Sequence, residues 1–291
     1  MNTHCSTKKV KADFEKKEII ENMIFLLDKS IFVSVKTEKL QSFIQNNCVV
    51  LPETLFYECY SSDDLYKKKH FVKLDALIKA GAYVSYQLVH IIGVQEAKNL
   101  YPCKCIISYD CTNKLKSEGF REEKTISKEE VYKKKKDRSK VALAIKELAT
   151  KIYQKNEFNY PDVIKEIKSL NMKRIERLNK WIKYIDKSDI HEKSIEIFCK
   201  YIIDSNDSNK FCLTDDWIAW HYTRLIYLMA YEYIFKKITG KMKKDENAEK
   251  DFMDIEYIAF LAKSDVLLTR DNECQDIANA MYPKKLIRSW E

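Results

Sequence analysis

Glycine and proline are scarce in this chain, and their scarcity limits the folds that it can adopt. Four residues of each type occur among 291, which is roughly a quarter of average usage or less. Folds with frequent tight turns, such as β-sandwiches and propellers, are therefore disfavoured, and helices with short connections are favoured. The glycine spacing also forms neither G-x-G-x-x-G nor G-x-x-x-x-G-K-[ST], so the loops that bind dinucleotides and nucleoside triphosphates have no support.

Three short, continuously apolar runs indicate strands that are buried on both faces. They cover residues 23–27 and 48–51, and the apolar residues Val266, Leu267 and Leu268 within a strand at 265–269. Apolar residues at helical spacing predict helices between and after these runs, at residues 37–46, from Pro52 onwards, and at 64–80, 249–263 and 272–281. Residues 82–92 are apolar but receive no assignment. Strands that alternate with helices in this way predict an α/β fold with a parallel sheet.

The middle of the chain has a different character. Residues 121–244 carry long lysine-rich patterns at helical spacing and almost no alternation of the strand type. We therefore expect an all-helical insertion over residues 99–244, between a first core segment at 20–98 and a second at 245–291.

The cysteines and the apolar runs bear on the cellular compartment. Nine cysteines, an odd number, are scattered through the chain, which does not resemble a disulfide framework. Cys103, Cys105 and Cys111 could suggest zinc, but a fourth ligand is missing, and small buried apolar residues explain them better. Residues 1–11 lack an apolar signal segment, and no apolar run approaches the ~20 residues that span a bilayer. The expected location is a reducing cytoplasm, without a membrane.

Acidic residues follow or flank the predicted strands. Asp28 ends the first strand, Asp271 follows the last, Glu58 lies in the helix after the second, and Asp254 lies in the helix before the last, with Asp251 one turn earlier. Ligands of open α/β sheets bind outside the carboxyl ends of the strands. Carboxylates gathered there would repel one another, and Mg²⁺, which prefers oxygen ligands, would relieve that repulsion.

Each of these acids also has an ordinary interpretation when it is taken alone. Any α/β chain with 44 acidic residues places some of them at strand ends. Glu58 could be a surface glutamate, and Asp251 could complement a helix dipole.

Taken together, the segments MIFLLDKSIFVSV, VVLPETLFYEC and DIEYIAFLAKSDVLLTRDNECQDIA resemble the PIN-domain nuclease superfamily. The resemblance covers roughly residues 22–95 and 249–291. It implies a three-layer PIN-like core and a metal-dependent nuclease, for which RNA is favoured over DNA. It implies Mg²⁺ or Mn²⁺ as cofactor, and a metal-bound hydroxide that attacks the phosphodiester. The residues that match the family's acids are Asp28, Glu58, Asp254 and Asp271, with Asp251 as an alternative or additional ligand, and Thr269 matches a frequent Ser/Thr before the last acid.

Two other functions remain open at this point. One is a catalytically inactive PIN-like scaffold whose helical insertion binds nucleic acid or a protein partner. The other is an all-helical regulatory module without a metal site.

Basic and aromatic residues are candidates for substrate contacts. The run KKKKDRSK at 133–140, the run KKKH at 67–70 and the lysines at 241–244 could bind phosphates, although such runs are usually solvated helix faces. The candidate substrate-binding residues are Lys133, Lys134, Lys135, Lys136, Lys241, Lys243, Lys244 and Arg270. Seven aromatic residues could stack on bases, although their helical spacing is more typical of a core: Trp217, Trp220, His221, Tyr222, Tyr227, Tyr231 and Tyr233.

Overall fold

The structure is a computed structural model that describes residues 23–120, 128–159, 173–187, 213–241 and 248–290. Its strands are β1 (Ile24–Leu27), β2 (Cys48–Leu51), β3 (Tyr83–Val84), β4 (Val266–Leu268) and β5 (Leu286–Arg288). Its helices are α1 (Lys29–Ser34), α2 (Thr37–Ile44), α3 (Glu53–Tyr60), α4 (Asp64–Ala80), α5 (Leu88–His90), α6 (Tyr109–Glu118), α7 (Lys128–Asn159), α8 (Arg174–Lys187), α9 (Ile218–Ile238), α10 (Ala248–Phe260) and α11 (Asn272–Met281). A π-helical segment, Ile91–Ala97, continues α5, and a 3₁₀ turn, Leu261–Lys263, follows α10.

The strands form one parallel sheet in the order β3-β2-β1-β4-β5. Leu26 of β1 lies opposite Val50 on one side and Leu267 on the other. The expected α/β fold with a parallel sheet is therefore confirmed. The three apolar runs form the central strands, β2, β1 and β4. The edge strands β3 and β5 were not predicted, and β3 lies within the residues that received no assignment.

Side chains alternate between the two faces of the sheet, and each face has its own hydrophobic core. Phe25 and Leu27 of β1 point into a core that they share with helices α1 to α4 and with Leu115 of α6. Leu26, on the other face, packs in a core with helices α7 to α11. The sheet is thus covered on both faces, which explains why its central strands are continuously apolar.

The described helices of the predicted insertion belong to the same cores as the sheet. Ile145 of α7, Leu178 of α8 and Leu228 of α9 lie in one cluster with Leu26, while α6 covers the opposite face. The predicted boundaries at residues 99 and 244 remain predictions, but the described helices between them do not pack as a group separate from the sheet.

Buried ionic contacts fix helices α8 and α9. Arg177 donates two hydrogen bonds to Glu232, at 2.7 and 2.8 Å, and Trp181 donates a third at 3.1 Å. The fully buried carboxylate of Glu96 accepts hydrogen bonds from the backbone N–H groups of Ile218 and Ala219, both at 2.8 Å. These N–H groups lie at the start of α9, where a negative charge complements the helix dipole.

The seven aromatic residues singled out between 217 and 233 lie in or against the core. Trp217, Trp220, Tyr227 and Tyr231 are buried, and so is His221, while Tyr222 and Tyr233 are half-buried and pack against the same cluster. This burial agrees with the core interpretation of their spacing. Within the described residues, no helix has both the length and the apolar character needed to cross a bilayer.

Candidate active site

Asp28 and Asp271 lie at the same end of the sheet, after the neighbouring parallel strands β1 and β4. Both are N-caps of the helix that follows. Asp28 accepts hydrogen bonds from the N–H groups of Lys29 at 2.6 Å and Ser30 at 3.3 Å. In the same way, one oxygen of Asp271, Oδ1, accepts from the N–H groups of residues 273 and 274 at 2.7 and 3.0 Å. Aspartate is a favourable N-cap, so local helix formation explains why both residues stand at these positions.

The buried side chain of Thr269 connects the two aspartates. Its hydroxyl donates to Oδ2 of Asp28 at 2.7 Å and accepts from the N–H of Asp271 at 3.0 Å. Ser30 adds a hydroxyl that donates to the same Oδ2 at 2.5 Å. This hydroxyl also accepts from the N–H of Arg270 at 2.8 Å. The two strand ends are thus joined by hydroxyl groups, with the Asp28 carboxylate at the centre of the network.

Glu58 lies beside this network, on α3. Its carboxylate accepts a hydrogen bond from the hydroxyl of the buried Tyr257 at 2.5 Å, and the ammonium of Lys29 lies 3.9 Å from its other oxygen. Burial raises the pKa of Glu58 from its ordinary value of 4.5 to about 7, and the charge of Asp28 also raises it, while Lys29 and Tyr257 lower it. A carboxyl group that titrates near neutral pH is typical of functional sites.

Asp254 is half-buried on α10, one turn before Tyr257. Its location relative to the other acids follows from the buried thiol of Cys274 on α11. Burial raises the pKa of this thiol well above its ordinary value, and the negative charges of Asp254, Asp28 and Asp271 raise it further. All three carboxylates thus contribute negative charge at the Cys274 sulfur. Asp251 also lies on α10, but its side chain is outside the described part of the structure.

The types of donor atom at this end of the sheet suit a hard divalent cation. They are carboxylate and hydroxyl oxygens, which Mg²⁺ and Mn²⁺ accept, and the three carboxylates that raise the pKa of Cys274 mark a region of negative potential. Among the described side chains, however, no three His, Cys, Asp or Glu form a group that could hold a metal ion. Hydrogen bonds to the helix N-termini and to Thr269 occupy oxygens of Asp28 and Asp271 instead.

The predicted lysines of the run at 133–136 differ in their surroundings. Lys133, Lys135 and Lys136 are exposed on α7. Lys134 instead turns inward, because its ammonium pairs with the carboxylate of Glu53 on α3 and lies 4.2 Å from the centre of the Tyr57 ring. The prediction that Lys134 binds substrate therefore competes with a structural role that its three neighbours do not share.

The four remaining candidates are placed less fully. Arg270 is exposed beside the site, and its guanidinium donates to the backbone oxygen of Trp290 at 3.3 Å. Lys241 is exposed after α9, and Lys243 and Lys244 lie outside the described residues. The structure therefore brings Arg270 next to the acidic residues.

The cysteines suggested for zinc do not share one environment. Cys103 is buried, Cys105 is half-buried and Cys111 is exposed. The thiol of Cys103 donates to the side chain of Gln95 at 3.0 Å. Packing as a small apolar residue therefore describes Cys103 but not Cys111.

A second cluster of charges lies behind α3, and sequence reasoning did not find it. Arg138 of α7 donates to Glu256 of α10 at 2.7 Å, and Thr54 of α3 donates to the same Glu256 oxygen at 2.5 Å. Arg138 and Lys134 are four residues apart, so they lie on one face of α7. That spacing was the available signal for an inward-facing pair.

Comparison of the chain with known protein families, curated proteins and solved structures finds no match.

Proposed function

We propose that this protein is a metal-dependent nuclease with a PIN-like core, which hydrolyses phosphodiester bonds at the carboxyl end of its sheet. The observation that carries the proposal is the placement of Asp28 and Asp271. They end neighbouring parallel strands, are joined through Thr269, and act together with Asp254 on the thiol of Cys274. Ligands of open α/β sheets bind at this end.

The proposed ligands of Mg²⁺ or Mn²⁺ are Asp28, Asp254 and Asp271, with Glu58 beside them and Asp251 as an alternative or additional ligand. When bound, such an ion supplies a nucleophile by lowering the pKa of a water molecule, and it stabilises charge that develops on the phosphate. Glu58, with a pKa of about 7, can hold or release a proton at neutral pH. Lys29 beside it and the exposed Arg270 can attract the phosphate to the site.

RNA is the proposed substrate in preference to DNA, on the resemblance alone. The exposed Lys133, Lys135 and Lys136, with Lys241, are proposed to neutralise phosphates of the substrate. An acidic protein partner that contacts the exposed lysines of α7 is proposed as an alternative ligand of the predicted insertion, residues 99–244. A cytoplasmic location is part of the proposal, because six cysteines among the described residues are free and a reducing compartment would keep them so.

A second candidate function is an inactive PIN-like scaffold that binds nucleic acid or a protein. The hydrogen bonds of Asp28 favour it, because two N–H groups and two hydroxyl groups already donate to this carboxylate. An acid that is satisfied in this way stabilises the start of α1 without any metal.

Cleavage by the Asp271→Asn variant distinguishes the two functions. Both N–H groups that cap α11 bond to Oδ1 of Asp271, so the amide oxygen of asparagine can accept them, and the fold should be kept. Wild-type protein with Mg²⁺ should cleave a labelled single-stranded RNA, and EDTA or Asp271→Asn should abolish cleavage at an unchanged melting temperature. Equal cleavage by wild type and the variant, or none by wild type in Mg²⁺ or Mn²⁺, would refute the nuclease proposal.

A further inference from the structure

The first two turns of α4 carry aromatic and basic side chains next to the acidic residues. We define the α4 surface as Tyr66, Lys68, Lys69 and His70. Tyr66 is 53% exposed, Lys68 and Lys69 are exposed, and His70 is half-buried. Lys67 of the same run is not part of this surface, because it is buried with its ammonium 3.7 Å from the centre of the Tyr60 ring.

The rings of the α4 surface form a continuous series that ends in the core. The rings of Tyr66 and His70 are stacked, with centroids 6.4 Å apart and planes at 30°. His70 in turn meets the edge of Phe32, a fully buried residue of α1, at 5.7 Å. Tyr66 is therefore the outermost ring of the series, and His70 and Phe32 pack behind it. Its exposed surface is available to a ligand.

Positive charge surrounds this series of rings. The ammonium of Lys69 lies 6.0 Å from the centre of the Tyr66 ring, and that of Lys73 lies 5.1 Å from the Phe32 ring. The pKa of His70 is lowered by burial first, and then by the charges of Lys29 and Lys73. Two lysine ammonium groups therefore act on His70, although the acidic site is close.

The α4 surface lies at the same end of the sheet as the acidic site. Helix α4 leads into β3, which is parallel to β1, so the first turns of α4 lie at the carboxyl ends of the strands. Lys29 lies between the α4 surface and the acidic site. Its charge lowers the pKa of His70, and its ammonium lies 3.9 Å from the carboxylate of Glu58. A single nucleic-acid strand that binds at the acidic residues can thus extend along α4.

We propose that the α4 surface binds single-stranded nucleic acid, with an unpaired base stacked on Tyr66 and neighbouring phosphates bound by Lys68 and Lys69. This inference rests on the proposed nuclease function and names its substrate class. Stacking needs a base whose face is free, so single strands should bind better than duplexes. The positive charge complements phosphate, and the exposed aromatic ring adds a contact that does not depend on base identity.

The test measures binding without cleavage. The 291-residue chain is titrated in EDTA into a fluorescein-labelled RNA of about 12 nucleotides. The RNA is either single-stranded or paired with its complement, and fluorescence anisotropy reports the affinity. Tyr66→Ala should weaken single-strand binding about tenfold, which is about 1.4 kcal/mol and lies within the range that one base stacked on an aromatic ring contributes. Tyr66→Trp should keep or increase the affinity, since its ring is larger.

Tyr101→Ala is the matched control. Tyr101 is also a largely exposed tyrosine, at 57%, with the ammonium of Lys104 5.2 Å from its ring centre. It precedes Cys105, which acts electrostatically on Cys48, the first residue of β2, so it lies towards the opposite end of the sheet. Tyr101→Ala should leave the affinity unchanged.

Three outcomes would overturn the inference. They are an unchanged affinity in Tyr66→Ala, an equal loss in Tyr66→Ala and Tyr101→Ala, and duplex binding as tight as single-strand binding. The first outcome would leave the α4 surface to a protein partner. Failure here is distinguishable from failure of the nuclease proposal, because Tyr66-dependent binding without metal-dependent cleavage refutes only the nuclease, whereas cleavage with an unchanged affinity in Tyr66→Ala refutes only this inference.

Discussion

Replacing Thr269 with valine should destabilise the protein, because the Thr269 hydroxyl joins the two strand ends that form the candidate site. Valine has nearly the same shape, but it can neither donate to Oδ2 of Asp28 nor accept from the N–H of Asp271, contacts of 2.7 and 3.0 Å in the wild type. A hydrogen bond to a charged group contributes about 1.5–3 kcal/mol, and a neutral one about 1 kcal/mol. Because Ser30 continues to donate to Asp28, we expect a net loss of about 2–3 kcal/mol.

Urea unfolding measures this loss, and serine is the matched replacement. With an m value of about 3 kcal/mol per molar urea, the midpoint of Thr269→Val should fall by about 0.7–1 M. Thr269→Ser keeps the hydroxyl and removes one buried methyl group, which costs about 1 kcal/mol. The reasoning fails if Thr269→Val unfolds at the wild-type midpoint, because the hydroxyl would then contribute nothing to joining β1 and β4.

Three further predictions concern charged side chains. Tyr257→Phe removes a hydrogen bond that favours the charged form of Glu58, so NMR titration should show the pKa of this carboxyl rising further above about 7; an unchanged or lower value contradicts it. Because folding raises this pKa from 4.5, wild-type stability should fall between about pH 4.5 and 7 relative to Glu58→Gln, since the folded state binds the extra proton, and parallel pH series of urea unfolding test the sign. Replacing three exposed lysines of α7 with glutamine should make the slope of log affinity against log salt for single-stranded RNA shallower by about 2, at about 0.7 per contact. An unchanged slope would show that these lysines do not contact the RNA phosphates. The variant replaces Lys133, Lys135 and Lys136, and the control replaces Lys36, Lys39 and Lys98, which are also exposed.

The central strands could be predicted from the sequence, and the edge strands could not. β1, β2 and β4 are covered on both faces, so burial demands an unbroken apolar run. β3 has only two residues, and the ends of β5, Leu286 and Arg288, are exposed, so neither needs such a run. The order of the strands, β3-β2-β1-β4-β5, depends on which strands pair. Local sequence patterns do not contain that information.

Asp28 and Asp271 could be identified because they lie at strand ends, and Glu58 and Asp254 through the resemblance, but the tyrosine that bonds to Glu58 could not be predicted. Tyr257 binds Glu58 through the tertiary structure, across 199 residues. The four lysines at 133–136 are identical in type, so the sequence of this run alone does not show that Lys134 pairs with Glu53 while its neighbours are exposed. Only its spacing of four residues from Arg138, which binds Glu256, reveals the inward face of α7.

Direct measurement of Mn²⁺ binding tests the central claim without knowledge of the substrate. The electron paramagnetic resonance signal of free Mn²⁺ is followed as purified protein is added, for wild type and for Asp271→Asn, whose fold should be intact. The account predicts that wild-type protein removes the free signal stoichiometrically at micromolar to millimolar concentrations and that Mg²⁺ competes, whereas Asp271→Asn binds far more weakly. Wild-type protein that leaves the free Mn²⁺ signal unchanged, or Asp271→Asn protein that binds as tightly as wild type, would contradict a metal site at the ends of β1 and β4.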